Sequence, residues 1–443
     1  MRSASSQITR TTEATLTPSY GWYGDDFTGA TDTLATLARR GCRAFLFLRV
    51  PDPQQLIRVG DLEAVGIAGA ARAMKPGELR AELAPVGAFF HDLGVRILHY
   101  KCCSTFDSAS TRGNIAVATA ILRKYVAHET VAIIGGQPSL GRYCAFSNLF
   151  ASFGVDETVF RLDRHPAMSR HPATPMTEAD LRQHLAALGM EDIEAIHWPL
   201  LAGDPESIAA EWQRLSQRSS AVLLDALDGR HVDAIGRLLR TESHRHSLLA
   251  VGPSSVAQAF FEERRLAAEP PLAPMDGPVL AFVGSLSPTT REQVATARSY
   301  TRLTLDPDSV LSSSGARERI IDNAAAALAR GEHVMLSTAP EAGDAPHSAA
   351  ADLATVSASL VDDVLRRQPV QRLAIAGGDT SSRIVAQLGY WGLGYHSQIS
   401  NGVAVSLARS DDPSRDRMLV MLKGGQMGHE RLFESFVDSE ARP

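Results

Sequence analysis

A two-domain α/β fold on largely parallel sheets is what this sequence predicts, and three observations predict it. Short apolar runs alternate with amphipathic, helix-length segments almost throughout the chain, which is the pattern of strands covered by crossover helices. At 443 residues the chain exceeds what one hydrophobic core ordinarily organises. A stretch without periodicity, Leu266 to Gly277, carries Pro270, Pro271 and Pro274 and separates two such series. The expected division is a flexible tail over 1–19, an N-terminal domain over 20–265, a linker over 266–277 and a C-terminal domain over 278–443. A cleft between the two domains is the expected place for a small-molecule site.

The first unit reads as a strand ending near Gly24, a loop over Asp25–Gly29 and a helix from about Thr31 to Arg40. Gly41 suits the C-cap of that helix. Further strands are expected at Ala44–Leu48, Ala64–Ala68, Arg96–Tyr100, Val131–Ile134, Ile193–His197, Ala221–Leu224 and Leu248–Val251. Helices are expected over Gly77–Leu93, Asn114–Val126 and Thr177–Leu188, the last with Thr177 and Asp180 at capping-box spacing. The second series opens with Val279–Val283 and continues with strands at Val334–Ser337, Leu373–Ala376 and Leu419–Leu422. A helix near His429–Val437 closes it.

Composition narrows the function classes. Basic and acidic residues number 44 and 50, intermixed, with a formal net charge of -6 and no long basic run, so nothing points to nucleic acid. No stretch approaches the ~18 consecutive apolar residues of a membrane span. The N-terminal residues are rich in Ser and Thr and lack an apolar core, unlike a secretory signal. Cys42, Cys102, Cys103 and Cys144 match neither a disulfide framework nor a zinc spacing, which suits a reducing cytoplasm.

Seven segments can carry chemistry, each at the C-terminal end of an expected strand, where open α/β sheets hold ligands, or in a loop. Asp25 and Asp26, in Gly24-Asp-Asp-Phe-Thr-Gly29, can take a hydroxyl proton and orient a substrate hydroxyl with Thr28; the plainer reading is that Asp26 or Thr28 caps the helix. Lys101 can neutralise a carboxylate while Ser104, Thr105 and Asp107 grip hydroxyls; the plainer reading is a polar loop capping the helix near Asn114. Arg142, after Gly135-Gly-Gln-Pro138, can fork a carboxylate, or simply lie at the surface beside a turn. His165 and His171 match no metal spacing. The second half carries turns at Gly284-Ser-Leu-Ser287, Gly377-Gly-Asp-Thr-Ser381 and Gly424-Gly-Gln-Met-Gly428. Each offers backbone N–H groups, glycine freedom and a following helix, and together they suit a polyphosphate, although none is a Walker A or G-x-G-x-x-G motif.

In this order these segments resemble the four-carbon acid sugar kinase family, from about Tyr20 to Phe436. The anchors are Asp25–Ala30, His171–Met176 with Asp180-Leu-Arg182, Gly284–Ser287, Gly377–Ser381 and Lys423–Gly428. The resemblance implies an N-terminal domain for the sugar acid, a C-terminal domain for ATP with Mg²⁺, and phosphoryl transfer to a terminal hydroxyl. It implies ATP contacts at Ser285, Ser287, Gly377, Gly378, Asp379, Thr380 and Gly425 or Gly428. Sugar contacts would come from the Asp25-Asp26 loop, the Lys101–Asp107 loop and Arg142. Asp25, or Asp26 in the reversed geometry, would take the proton. Three departures stand out. Tyr100-Lys-Cys-Cys-Ser-Thr-Phe-Asp-Ser108 replaces the family's Y-K-x-x-D-S-T pattern and is similar to the branch acting on branched acids such as 3-oxo-isoapionate. Lys423-Gly-Gly-Gln-Met-Gly428 replaces K-S-G-N-F-G, and Gly135-Gly-Gln-Pro138 replaces a P-A-F-P-like run. Metabolic enzymes of this kind are often symmetric homo-oligomers. Rival expectations are an NAD(P)-dependent oxidoreductase, disfavoured by the missing dinucleotide fingerprint, and a non-catalytic ligand sensor, disfavoured by the retained acid pair.

Overall fold

The computed structural model describes residues 17–154, 157–171, 174–264, 277–285, 287–338, 347–425 and 427–438. The expected linker, Gly277 excepted, and the tail before Thr17 lie outside the described residues, as do Pro172, Ala173, Leu286, Gln426 and the Asp379 side chain.

Eleven strands belong to the N-terminal half: β1 (Tyr20–Gly24), β2 (Ala44–Phe47), β3 (Ala64–Ala68), β4 (Ile97–Lys101), β5 (Val131–Ile134), β6 (Arg142–Ala145), β7 (Asn148–Phe153), β8 (Thr158–Arg161), β9 (Ile193–Ile196), β10 (Ala221–Leu224) and β11 (Leu248–Gly252). The C-terminal half adds β12 (Val279–Val283), β13 (Tyr300–Thr304), β14 (His333–Ser337), β15 (Arg372–Ala376), β16 (Tyr390–Ser400), β17 (Val403–Ser410) and β18 (Leu419–Lys423). Fifteen of them form one sheet, ordered β13-β14-β12-β15-β18-β17-β16-β2-β3-β1-β4-β11-β5-β10-β9, while β6-β7-β8 form a small antiparallel sheet. Pairing is parallel throughout the large sheet except around β16 and β17. The central strands are buried on both faces, as apolar runs covered by helices should be.

The two halves meet through sheet pairing. Gly392 and Leu393 of β16 lie opposite Phe47 and Leu46 of β2, antiparallel. Trp391 packs its ring against Phe45 and Phe47 at centroid distances of 5.6 and 6.2 Å, and Arg58 lies over it at 4.6 Å. Behind one sheet face a single apolar core runs through both halves, whereas the other face carries two separate clusters.

Topology positions the site. In the first half β1 lies between β3 and β4, so the connections leave it in opposite directions; β12 stands in the same way between β14 and β15. Such switch points open crevices at the strand ends where ligands bind. The loops at these places are 25–29 with 102–108, and 284–287 with 377–381.

Several element boundaries differ from the expectation. The first helix starts at Phe27, with Asp26 as its N-cap, because the Asp26 side chain accepts from Gly29 N. The helix expected from Thr177 begins at Leu181, since Asp180 itself is the cap and Asn148 bridges it to β7. The helix after Asn114 ends at Leu122 and continues only as a 3₁₀ turn over Arg123–Tyr125. The closing helix spans Leu432–Asp438. The segment read as a Gly/Pro turn before Arg142 leads into the β6–β7 hairpin.

Candidate active site

The acid pair lies at the end of β1 and is buried, Asp25 2% and Asp26 5% exposed. Three chain segments hold it. Asp25 N donates to Lys101 O, and Arg72 N donates to Asp25 O, each at 3.0 Å. Arg72, in the loop after β3, then bridges both carboxylates: its Nη2 and Nε reach Asp25 at 2.8 and 3.3 Å, and its Nη1 reaches Asp26 Oδ2 at 2.7 Å. Burial pushes the Asp25 carboxyl up to about 6, with the charge of Asp26 adding to it and Arg72 opposing it. Asp26 Oδ1 accepts from Gly29 N at 2.6 Å and its Oδ2 from Thr28 Oγ1 at 2.9 Å. The capping and functional readings of Asp26 therefore describe one side chain.

Lys101 is buried beside this loop. A Cβ on Gly29 would lie 2.6 Å from both Lys101 Nζ and Asp26 Oδ1, so glycine is what admits the ammonium there. Lys101 Nζ donates to Cys102 O at 2.8 Å and forms no salt bridge among the described residues. In the second loop Thr105 Oγ1 donates to Asp107 Oδ1 at 2.7 Å, and Thr174 Oγ1 stands 3.5 Å from the other Asp107 oxygen. Burial raises the Asp107 carboxyl, but Arg72 and hydrogen bonds from Cys103 and Thr105 outweigh it and hold it down to about 2. Phe106 between them is buried at φ 53°, a left-handed conformation costly for a bulky residue. Ser104 is half-buried and makes no hydrogen bond among the described residues. Arg142 donates to Leu140 O and leaves its buried Nε without a partner; burial lowers its pKa, and the nearby Cys103 opposes that shift.

The three glycine turns of the second half come together. Gly377, at φ 123°, sits so close to the first turn that a Cβ there would lie 3.4 Å from Ser285 N. A Cβ on Gly284 would lie 2.5 Å from Thr380 Oγ1, and one on Gly425 would lie 2.7 Å from Ser285 Oγ. Ser287 caps the helix Pro288–Thr296 and also donates to Gly425 O. Gln293 Nε2 stands 3.0 Å from each of Met427 O, Gly428 O and His429 O. The result is a concave set of turns ending at the N-terminus of the helix Gly378–Gln387, the arrangement that binds phosphate through backbone N–H groups.

The two constellations touch. A methyl group in place of a Gly378 hydrogen would lie 3.5 Å from Asp26 Oδ2, and the helices Phe27–Arg39 and Gly378–Gln387 pack together. A cavity of about 50 Å³ lies farther along the first helix, lined by Asp32, Gln137, Ser139, Gln398 and Asn401 from both halves. It is far smaller than the roughly 300–1,000 Å³ of a typical ligand pocket.

Two family models match the chain, a sugar-binding N-terminal domain over residues 20–260 and a nucleotide-binding C-terminal domain over 280–433. The chain is 35% identical to the 3-oxo-isoapionate kinase of Paraburkholderia graminis, across 96% of each protein. The chain belongs to the four-carbon acid sugar kinase family. Other members at lower identity are the 3-oxo-tetronate kinases of Methylobacterium radiotolerans (29%, over 95% of this chain and 99% of that one) and Cupriavidus necator (28%, 94% and 96%). The family fold also appears in a crystal structure from Salmonella typhimurium LT2 with a TM-score of 0.76 at 25% identity, covering 94% of this chain and 98% of that one. As a family member the chain is an ATP-dependent acid sugar kinase, a phosphotransferase with an alcohol acceptor, not an oxidoreductase or a sensor. Among the described residues no helix is long and apolar enough to cross a membrane.

Arg72 was not among the candidate residues of the sequence, and Lys423 entered only as the first residue of the third turn, with no role of its own. For Arg72 the available signal was its place just after an expected strand, beside the first switch point. For Lys423 it was a lysine ending an otherwise apolar strand.

Proposed function

We propose that this enzyme transfers the γ-phosphoryl group of ATP to a hydroxyl of a branched 3-oxo sugar acid of the 3-oxo-isoapionate type, in a cleft between its two halves. The approach of Asp26 to Gly378, within 3.5 Å of where a Cβ there would stand, carries the reading, because it brings a candidate base of the first half up to the phosphate-binding turns. The identity to the Paraburkholderia graminis enzyme and the Lys101–Ser108 loop support the branched acceptor.

In this mechanism the nucleotide phosphates lie over the turns 284–287, 377–381 and 424–428. Mg²⁺, when bound with the nucleotide, would supply charge neutralisation at the phosphates and would call for only one or two protein carboxylates. Asp26, which stands toward the Gly378 turn, would be a carboxylate to hold it. The acceptor carboxylate pairs with buried Lys101 and half-buried Arg142, neither of which forms a salt bridge among the described residues. Thr28, Ser104, Thr105 and Asp107 hold its hydroxyls. Asp26 orients the attacking hydroxyl and takes its proton, while Asp25 fixes Arg72, whose charge stabilises both acids. Asp26, and not Asp25, takes this part because it is the acid that stands toward the second half. Because Asp25, Asp26, Lys101 and Asp107 are all buried, the halves part to admit substrates and close to exclude water, so that ATP is not hydrolysed. ATP use and four free cysteines suit a cytoplasmic enzyme.

The test is an ADP-release assay with Mg-ATP across unbranched four-carbon and branched five-carbon acids with their 3-oxo forms. A kcat/KM highest for a branched 3-oxo acid is expected. A preference for 3-oxo-tetronate would keep the kinase and overturn the branched acceptor; no turnover of any acid would overturn the acceptor class.

A further inference from the structure

Beneath the phosphate-binding turns lies a lysine that the mechanism above does not use. Lys423 is the last residue of β18 and is 0% exposed. Its Nζ donates to Gln293 Oε1 at 2.6 Å and to Thr290 Oγ1 at 2.7 Å, and lies 3.4 Å from Gly425 O. Its own carbonyl accepts from Gly377 N at 3.0 Å. One residue thus ties together the turn after β18, the helix that follows the first turn, and the Gly377 turn. Every side-chain partner is neutral, and Lys423 forms no salt bridge among the described residues.

A buried ammonium without a counter-charge is costly, and the cost falls when an anion arrives nearby. Here the turns that would hold the anion rest directly on the ammonium's own acceptors. We propose that Lys423 is the positioning residue of the nucleotide site: it braces the 424–428 turn, and it takes up a proton when the nucleotide phosphates bind. This rests on the reading that the phosphates lie on these turns.

Among the described residues no charged side chain makes a hydrogen bond or ion pair with Lys423. The helix Pro288–Thr296 turns Thr290 and Gln293 toward it and leaves Arg291 and Glu292 exposed. Gly424, Gly425, Met427 and Gly428 carry no titratable group, and the paired residue on β15 is Ala376. His429, half-buried just past the turn, is itself held below the usual histidine range by burial. Burial is the sole cause that pushes Lys423 down, to about 7. The free enzyme then holds Lys423 partly neutral at neutral pH, and the anion favours the charged form. Nucleotide affinity is therefore level below pH 7 and falls above it, by up to about tenfold per pH unit until the pKa of the bound state is reached.

The experiment is isothermal titration calorimetry of Mg-ADP from pH 6 to 9, in paired buffers of different ionisation enthalpy, which counts the protons taken up. Wild type should take up a fraction of a proton that peaks between pH 7 and 9. Lys423→Arg, always charged, should bind within a few-fold of wild type with that uptake abolished. Lys423→Met should lose about tenfold or more in affinity at pH 7, also without uptake. Binding by wild type with no uptake above pH 7, or the same uptake in Lys423→Arg, would overturn the proposal even if the other variant fails to fold. Failure of wild type to bind Mg-ADP at all would instead strike the placement of the nucleotide.

Discussion

Arg72 does most to define the acid pair, because it alone contacts both carboxylates. Replacing it with Lys keeps the charge and loses the bidentate fork to Asp25, and lysine is a poor substitute where a planar fork is used. Arg72→Lys should lower kcat by at least about tenfold, measured by ADP release, with little change in ATP affinity. Asp26→Asn should lower kcat by roughly 10²–10⁴-fold with ATP affinity preserved; a kcat within a few-fold of wild type would move the base to Asp25. Asp25 makes a separate pH prediction. Burial pushes its folded carboxyl up to about 6, above the usual aspartate value of 3.8, so the folded state binds its proton more tightly than the unfolded chain does. That contribution is complete below about pH 4 and is lost as pH rises to 6. Urea unfolding of Asp25→Asn against wild type should therefore shift in the variant's favour between pH 4 and pH 7. A stability difference independent of pH across that window would contradict the raised carboxyl.

At the scale of elements, the phosphate-binding turns depend on approaches that only glycine permits. A Cβ on Gly425 would meet Ser285 Oγ at 2.7 Å, closer than such contacts allow, and would push the third turn off the first. Gly425→Ala should raise the KM for ATP by about tenfold while sparing the fold, read by ADP release and thermal melting together. Gly29→Ala acts on the other side: its Cβ would lie 2.6 Å from both Asp26 Oδ1 and Lys101 Nζ, so it should affect the acceptor more than ATP. The strands of the parallel series were legible from their apolar runs, Ala64–Ala68, Val131–Ile134, Ala221–Leu224 and Val279–Val283 to the residue. Missed strands are of another kind. β8 and β13 are largely exposed, and β16, continuously buried only over its first four residues, carries Gly392, Gly394, His396 and Gln398 among its apolar residues, so none offers a continuous apolar run.

Across the whole molecule, the seam between the halves combines two residue pairs between β2 and β16, the Trp391 cluster and the apolar core shared behind one sheet face. Trp391 is 2% exposed and packs against Phe45 and Phe47 from the other half. Trp391→Ala should cost about 3–5 kcal/mol of stability, seen in chemical denaturation. Because it loosens the joint about which the halves would move, it should also raise futile ATP hydrolysis relative to sugar phosphorylation; a variant that is merely less stable would leave that ratio unchanged.

Local chemistry determined much of this protein directly. Apolar runs, glycine turns and acids at strand ends placed the loops 25–29, 101–108, 284–287, 377–381 and 424–428 at the C-terminal ends of strands in an α/β fold, since parallel strands bury both faces and leave chemistry only to their ends. Tertiary structure decided what faces what. Arg72 meets Asp25 across 47 positions because β1 and β3 are parallel neighbours in register, and Asp26 meets Gly378 because the antiparallel β16–β17 hairpin joins two sheets into one. These are long-range pairings set by the burial of whole surfaces, and no local pattern of residues encodes them.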